Sequence, residues 1–529
     1  MTNAVPRAQL GTHEVFNQPV MSARDPWADD RALRGALGAD ADLAALGAAL
    51  GTDSIREAAR DAQTRLPELR TFDRSGRRID EVHFHPGYHT LMRLGIEAGY
   101  AATAWDGSGN HLKHAAIQYM MTQVEPGVCC PMTMTYAAVP ALAADPALAA
   151  LWQPKLTARA YDPARVSVDR KPAATLGMAM TEKQGGSDVR ANSTRAVADG
   201  ADYRLFGHKW FCSAPMCDGF LTLAQLPEGI TCFLVPRWLP DGTRNPFTIL
   251  RLKDKLGNKA NASSEIEYDG TFAHRLGAPG RGVQTIIEMV HHTRLDTAMA
   301  PAGLMRAALA EAVQWARGRT VFQKRLIDQP LMRAVLADLA LESEAALLLA
   351  LDVARAFDDP ARRPYARLSV ALAKFISNKR APNMIYECME CLGGMGYVED
   401  TPLPMLYREA PLNSIWEGSG NVICLDILRS LMREPETGAQ LGARLDAARG
   451  LDPRFDAALK AHRSRWPALP PEGEARWFVE SLATLLTAAV MMADSPLADE
   501  WLATRLGEAR GSVTGALGTM DVERVLRRV

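Results

Sequence analysis

Residues 180–195, MTEKQGGSDVRANSTR, place two adjacent glycines and a serine directly behind a Thr-Glu pair, where the chain passes from helical to strand-like texture. Glycine reaches positive φ without steric cost, so a turn alone would explain the pair; glycine also lets backbone come close to a flat ligand. Upstream, residues 30–175 are rich in Ala and Leu and read as helices broken by polar loops such as TFDRSGRRIDEVHFHPG (71–87). Downstream, YRLFGHKWFCS (203–213), GFLTLAQL (219–226), ITCFLVPRWL (230–239) and SSEIEYDGTF (263–272) are short β-branched and aromatic runs separated by Gly, Pro, Asn and Asp. That pattern predicts an antiparallel sheet. After Gly282 the helical texture returns and lasts to the end, with Pro301 and Pro382 expected to kink or stop helices.

The order is therefore helices, a β domain, then helices, an α+β chain. Boundaries are expected at 1–175 (helical), 176–283 (β), 284–436 (a helical bundle) and 437–529 (a helical extension). At 529 residues the chain exceeds the size at which a single core stops growing. Its 60 basic and 61 acidic side chains give a net charge of -1, which supplies no global pull toward nucleic acid or an anionic membrane. The first thirty residues lack a signal-peptide pattern, and apolar runs such as LATLLTAAVMMA from Leu482 read as too short to cross a bilayer, so a cytoplasmic location and no membrane are expected.

Eight cysteines include Cys388-x-x-Cys391 and the adjacent Cys129 and Cys130, but no second pair stands at zinc spacing, so buried reduced thiols are expected and no metal. His83, His85 and His89 in HFHPGYH have no acidic partner fixed by spacing, and Pro86 argues against a clean helix there. No Rossmann Gly-x-Gly-x-x-Gly lies between a strand and a helix; LGGMGY (392–397) follows a helical segment and has the wrong glycine spacing. No phosphate-binding P-loop string is present either.

Three separated strings carry more together than singly: MTEKQGGSDV (180–189), RTVFQKRLIDQP (319–330) with CLGGMGY (391–397), and NSIWEGSGN (413–421). Their order and spacing resemble the acyl-CoA dehydrogenase superfamily of flavoproteins, and most closely its AidB subfamily, associated with the adaptive response to alkylating agents. The resemblance runs from Glu14 to about Leu431 and more weakly to the end. It implies the acyl-CoA dehydrogenase fold, in which an N-terminal helical domain, a middle β-barrel-like domain and a C-terminal helical bundle precede an extra helical domain. It also implies FAD as cofactor, an acyl-CoA-like substrate, and a homotetramer built as a dimer of dimers.

Residue by residue, the resemblance implies that Met178, Met180, Thr181, Gly186 and Ser187 lie along the flavin, with Ser187 also near the acyl-CoA chain. Phe211, Cys212 and Ser213 stand where the family has Trp-Ile-Thr/Ser beside the ring, the Ser213 hydroxyl near its reactive nitrogen. Arg319 takes the position of the arginine that meets the pyrophosphate, a planar fork suited to phosphate oxygens. Phe322, Gln329, Gly393 and Gly394 take positions that contact the cofactor of a neighbouring subunit. Read without the resemblance, Arg319 is a solvated helix-end charge.

Glu417 falls at the position of the family's glutamate base, which removes the α proton of the thioester while hydride leaves the β carbon. Trp416, Gly418, Ser419 and Asn421 surround it at the start of a helix, whose free N–H groups favour an anionic cofactor group. The alternative for Glu417 is a carboxylate that stabilises the helix dipole, an effect of under about 1 kcal/mol. Lys183, Gln184 and Gln323 depart from the broad family and are shared with AidB, for which weak dehydrogenase activity and an unsettled substrate are implied. Of the helical arginines near this site, Arg294 and Arg429, the latter is the candidate substrate-pocket charge. The AidB resemblance also implies double-stranded DNA as a partner through the extension. Its 12 basic and 12 acidic residues cancel, so binding would need Arg463, Arg465, Arg476, Arg505, Arg510, Arg524, Arg527 and Arg528 gathered on one face. The alternative is a helical domain that seals subunit contacts.

Overall fold

A computed structural model describes residues 12–507, 510–518 and 520–529. The N-terminal part begins with helices α1 (Arg31–Leu37), α2 (Ala41–Leu50) and α3 (Asp53–Thr64). Asp30 and Asp40 cap the first two, their carboxylates accepting N–H bonds from Leu33 and from Asp42 and Leu43. The stretch expected as a loop is instead a β-hairpin, β1 (Glu68–Phe72) and β2 (Arg78–His83). Asp73 turns it by accepting from the N–H groups of Ser75 and Arg77. Pro86 does not oppose a helix either: it is the first residue of α4 (Pro86–Glu97), capped by His85, because a first-turn N–H has no intrahelical partner to lose. Helices α5 (His111–Thr122), α6 (Cys129–Leu142) and α7 (Pro146–Leu156) complete this part.

Strands β3 (Leu176–Ala179), β4 (Arg195–Asp199), β5 (Asp202–Ser213), β6 (Gly219–Leu226), β7 (Gly229–Pro236), β8 (Phe247–Leu252) and β9 (Ser263–Leu276) form one seven-stranded sheet. Its order is β3-β6-β4-β5-β9-β7, with β8 on β9, and β6 also pairs with β7, closing the sheet on itself. The expected antiparallel pairing holds except where β3 and β4 each run parallel to β6. Closure buries Phe220, Leu221, Phe233, Leu234 and Ile266 inside.

The long α8 (Gly282–Gly318) leads through a small hairpin, β10 (Thr320–Val321) and β11 (Lys324–Arg325), to α9 (Pro330–Phe357), α10 (Arg363–Cys391), α11 (Leu403–Glu409) and α12 (Gly420–Arg433). Pro301 and Pro382 lie inside α8 and α10, which run on past them. Packing on both sides holds these helices through a lost hydrogen bond that would break an isolated one.

The extension is α13 (Pro435–Asp446), α14 (Pro453–Arg465), α15 (Ala475–Asp494), α16 (Ala498–Arg505) and α17 (Val522–Leu526). α15 contains the apolar run from Leu482, and residues 472–494 are long and apolar enough to cross a membrane, which corrects the reading from length. Here α15 packs against α9, α10 and α12, burying Leu482, Leu485, Leu486 and Val490. All eight cysteines are buried and reduced, and no group of metal-binding side chains occurs among the described residues.

Candidate functional site

Residues 180–187 form a loop anchored by Glu182, which is wholly buried. Its carboxylate accepts from the Ser193 and Thr194 N–H groups, from the Ser193 hydroxyl and from the ammonium of Lys209 at 2.8 Å. Burial would raise its pKa, but Lys209 and these donors outweigh burial and hold it well below the carboxylate range. The Thr181 carbonyl accepts from the N–H of Trp210, so the loop lies beside Phe211–Ser213. A Cβ on Gly186 would stand 2.4 Å from the Thr181 hydroxyl oxygen, which gives this glycine a packing reason. Met178, Met180 and Thr181 are half-buried and Ser187 is exposed.

Phe211 is 47 % exposed, an open aromatic face with the Lys253 ammonium 4.7 Å from its ring centre. Cys212 points the other way: its side chain is buried in the barrel, so only its backbone can face a cofactor. Ser213 shares its hydroxyl with Ser263 at 3.2 Å, and Lys255 donates to that same Ser263 and to the Asn261 carbonyl. Burial pushes Lys255 down to about 8. Lys255 and Glu417 both act electrostatically on Cys130, whose thiol burial pushes up to about 12. Ser213, Ser263 and Lys255 thus form one hydrogen-bonded group at the end of the barrel strands. The barrel loop is tied to the bundle through Asn258, whose N–H and amide bond the buried Glu409.

Glu417 sits with φ +56 just before Gly418 at φ +100, a left-handed step that a non-glycine residue adopts only when its surroundings impose it. The buried Lys374 imposes it, donating to the carbonyls of Asn413 at 2.9 Å and Gly418 at 2.8 Å, one on each side. The Arg294 Nε donates to the Glu417 carbonyl at 3.3 Å, and Asp426 orients that guanidinium at 2.7 Å with Arg367 on its far side. The Glu417 carboxylate accepts from the Thr293 hydroxyl at 2.8 Å. Burial raises its pKa above the ordinary value, against the opposing pull of Thr293, Arg294 and Lys374. Burial also pushes Lys374 down to about 7. Trp416 donates its indole N–H to Asn413 at 2.8 Å. Ser419 precedes α12 without a side-chain cap bond, leaving first-turn N–H groups for another acceptor, and Asn421 is exposed beside it.

The remaining candidates lie elsewhere. Arg319 donates to the Asn17 carbonyl at 2.7 Å, and Gln329 to the Val321 carbonyl at 2.9 Å. Phe322, at φ +51, is 83 % exposed at the hairpin tip, and Gly393 and Gly394 are open, with nothing within 4 Å of an added Cβ. Arg429 lies on the exposed face of α12, away from the buried stripe of Ile423, Cys424 and Ile427. The cations that reach the Glu417 segment are Arg294 and Lys374. Sequence reasoning missed Thr293, Lys255 and Lys374 as site residues; a lysine within the apolar run ALAKFIS was the one available signal.

Nor do the extension's arginines make one free basic face. Arg505 is buried on Asp338 at 2.7 Å and Glu342 at 3.2 Å, and Arg510 lies 3.7 Å from Asp338. Arg463, Arg465, Arg524, Arg527 and Arg528 pair with Asp446, Glu474, Glu500, Glu523 and Glu344.

A closed barrel between two helical parts, with a glutamate at a helix head beside a Gly-rich loop, agrees with family comparison. Residues 177–271 match the acyl-CoA dehydrogenase middle domain and residues 280–432 the C-terminal domain. The chain belongs to the acyl-CoA dehydrogenase family, FAD-dependent oxidoreductases acting on CH–CH groups. Within it the likeness is to the AidB group: residues 17–163 match the AidB N-terminal domain, and AidB of Escherichia coli is 42% identical over 95% of this chain and 96% of its own. Acyl-CoA dehydrogenase family member 11 of Caenorhabditis elegans is 32% identical over 84% of this chain and 77% of its own. Among solved structures, Caenorhabditis elegans ACDH-11 in complex with C11-CoA superposes with a TM-score of 0.81 at 27% identity, covering 100% of this chain and 94% of its own.

Proposed function

We propose that this chain withdraws hydrogen from the α and β carbons of an acyl-CoA-like thioester, with Glu417 as the base. The observation that carries the reading is a half-buried carboxylate whose pKa desolvation raises, hydrogen-bonded to Thr293 and fixed at the head of α12. The residues present suit FAD: the Thr181–Gly186 contact leaves the loop no side-chain bulk, Phe211 offers an open aromatic face, and α12 starts with uncapped N–H groups. Met178, Met180, Thr181, Gly186, Ser187, Phe211, the backbone of Cys212 and Ser213 would line the ring, and Trp416, Gly418, Ser419 and Asn421 the segment at α12. FAD when bound supplies the acceptor for the β hydrogen as hydride.

Glu417 takes the α proton onto its carboxylate, and its raised pKa makes it a stronger base for that transfer. Thr293 holds the carboxylate in one rotamer, while Lys374 and Arg294 fix the backbone that carries it. The partial burial of Glu417 limits the water that would lower its basicity. Titrating the oxygen-free holoprotein with acyl-CoAs of increasing chain length, beside Glu417→Gln, tests the reading. Flavin bleaching in the parent alone supports it. Bleaching in neither removes dehydrogenation.

A homotetramer in the cytoplasm and a role in the response to alkylating agents are proposed on the likeness to AidB across nearly the whole chain. A DNA-protecting role through the extension has less support, because seven of its eight candidate arginines face carboxylates within 4 Å; salt titration against random duplex DNA measures it.

A further inference from the structure

The eighth arginine is the exception. Arg476, in the first turn of α15, makes no ion pair among the described residues, and its guanidinium reaches 3.5 Å from the Asn421 side-chain oxygen. Facing the same spot is Lys379 of α10, also without a carboxylate partner among the described residues. Its ammonium donates to the Ser414 hydroxyl at 2.9 Å and stands 3.0 Å from where a Cβ on Gly420 would be. Burial lowers the Lys379 pKa, and the Arg476 guanidinium lowers it further, so the two cations act on one another. They come from different parts of the chain, Lys379 from the bundle and Arg476 from the extension.

Elsewhere in this extension Arg444 donates to the Ala489 carbonyl, and most of the other arginines are set against nearby carboxylates. Two like charges held together without one repel, and an anion between them reverses the sign of the interaction. Hydroxyl and amide groups from Ser414 and Asn421 supply further polar partners. Asn421 is four residues from Glu417 along the chain, in the first turn of α12, whose N–H groups have no side-chain cap.

We infer that Arg476 and Lys379, with Ser414 and Asn421, cradle a phosphate group of a nucleotide ligand, so that the helical extension contributes directly to the site. The phosphate could belong to FAD or to the adenosine part of an acyl-CoA; the chemistry is shared. The inference rests on the proposed function only in taking the ligand from that reading.

The test compares the parent with Arg476→Glu, Lys379→Glu and the conservative Arg476→Lys. FAD release from each holoprotein on dilution is followed by the gain of flavin fluorescence. Binding of an acyl-CoA and of the acyl-pantetheine of equal chain length is followed by the flavin spectral shift, each variant also carrying Glu417→Gln to prevent turnover. Release faster by about tenfold or more in both glutamate variants, and little changed in Arg476→Lys, assigns the phosphate to FAD. Acyl-CoA binding weakened about tenfold with acyl-pantetheine binding unchanged assigns it to the substrate. Unchanged release and unchanged binding in glutamate variants that melt like the parent would overturn the inference. An acyl-CoA that binds without bleaching the parent flavin would remove the dehydrogenase reading and leave this one standing.

Discussion

The Thr293 hydroxyl lies 2.8 Å from Oε2 of Glu417, a bond between the long helix α8 and the segment leading into α12. That hydroxyl donates to the carboxylate and so favours its ionised form, against the burial that raises its pKa. Replacing Thr293 by Val removes the donor and raises the pKa further. The acid limb of the rate of flavin bleaching, measured against pH, is expected to move to higher pH in Thr293→Val. Glu417→Gln is expected to lower the rate by about 10²–10⁴-fold at every pH.

The same carboxylate has a stability signature. A raised folded-state pKa means that the folded protein binds the proton more tightly than the unfolded chain. Glu417 therefore costs stability once pH rises above the unfolded value, and the full cost is present above the folded value. Glu417→Gln is expected to melt higher than the parent at neutral pH, with the difference vanishing below about pH 4. Thermal melts across pH measure this.

Lys374 braces both sides of Glu417 through the carbonyls of Asn413 and Gly418. Lys374→Met keeps the volume and loses both bonds, freeing the strained φ of Glu417. A displacement of about 1 Å costs on the order of 10²-fold in rate. The expected result is a fall of that size in bleaching rate with the flavin still bound.

Gly186 has no room for a methyl group beside Thr181. Gly186→Ala is expected to weaken flavin binding by about 1–3 kcal/mol through overpacking. Adding Thr181→Ala should relieve the clash, so the double variant binds flavin better than the two single effects add up to. Fluorescence titration of each measures the coupling.

Glu182 and Lys209 form a buried ion pair at 2.8 Å under the glycine loop. Lys209→Met strands a buried carboxylate and is expected to cost about 3–5 kcal/mol at neutral pH. The depressed pKa of Glu182 gives stability that is present above the unfolded value and lost as pH falls through the folded one, so the gap between parent and variant narrows in acid. Denaturant melts at two pH values check it.

Arg505 bridges Asp338 and Glu342 of α9, joining the extension to the bundle. Arg505→Ala is expected to cost about 3 kcal/mol and to loosen the extension, measurable as faster proteolysis within residues 437–529. An alanine scan of these arginines thus reads folding before it reads any nucleic-acid contact.

The order helices, β domain, helices is legible in local texture, because periodicity and turn residues are local properties. So are the strings around Glu182 and Glu417, since residue types at fixed spacing carry them. Residues 71–87 look like a loop in sequence because the hairpin's strands alternate charged with apolar residues around polar turn residues, and only pairing distinguishes the two. Pro86 was misread because its effect depends on whether it opens a helix or interrupts one. At Pro301 and Pro382 the helices run on because flanking helices supply packing that offsets the lost hydrogen bond.

By itself the sequence determined the three-part architecture, the neutral extension and the identity of the candidate base. Only tertiary structure decided which partners stand around it. Thr293 and Lys374 are remote in sequence from one another and from the glycine loop, and folding alone brings them to the Glu417 segment. Tertiary structure also decided the fate of the arginines, because a cation's role depends on the carboxylate opposite it. Asp338 and Glu342 face Arg505, while Lys379 faces Arg476, and no spacing rule within one helix reports what stands across a packed interface.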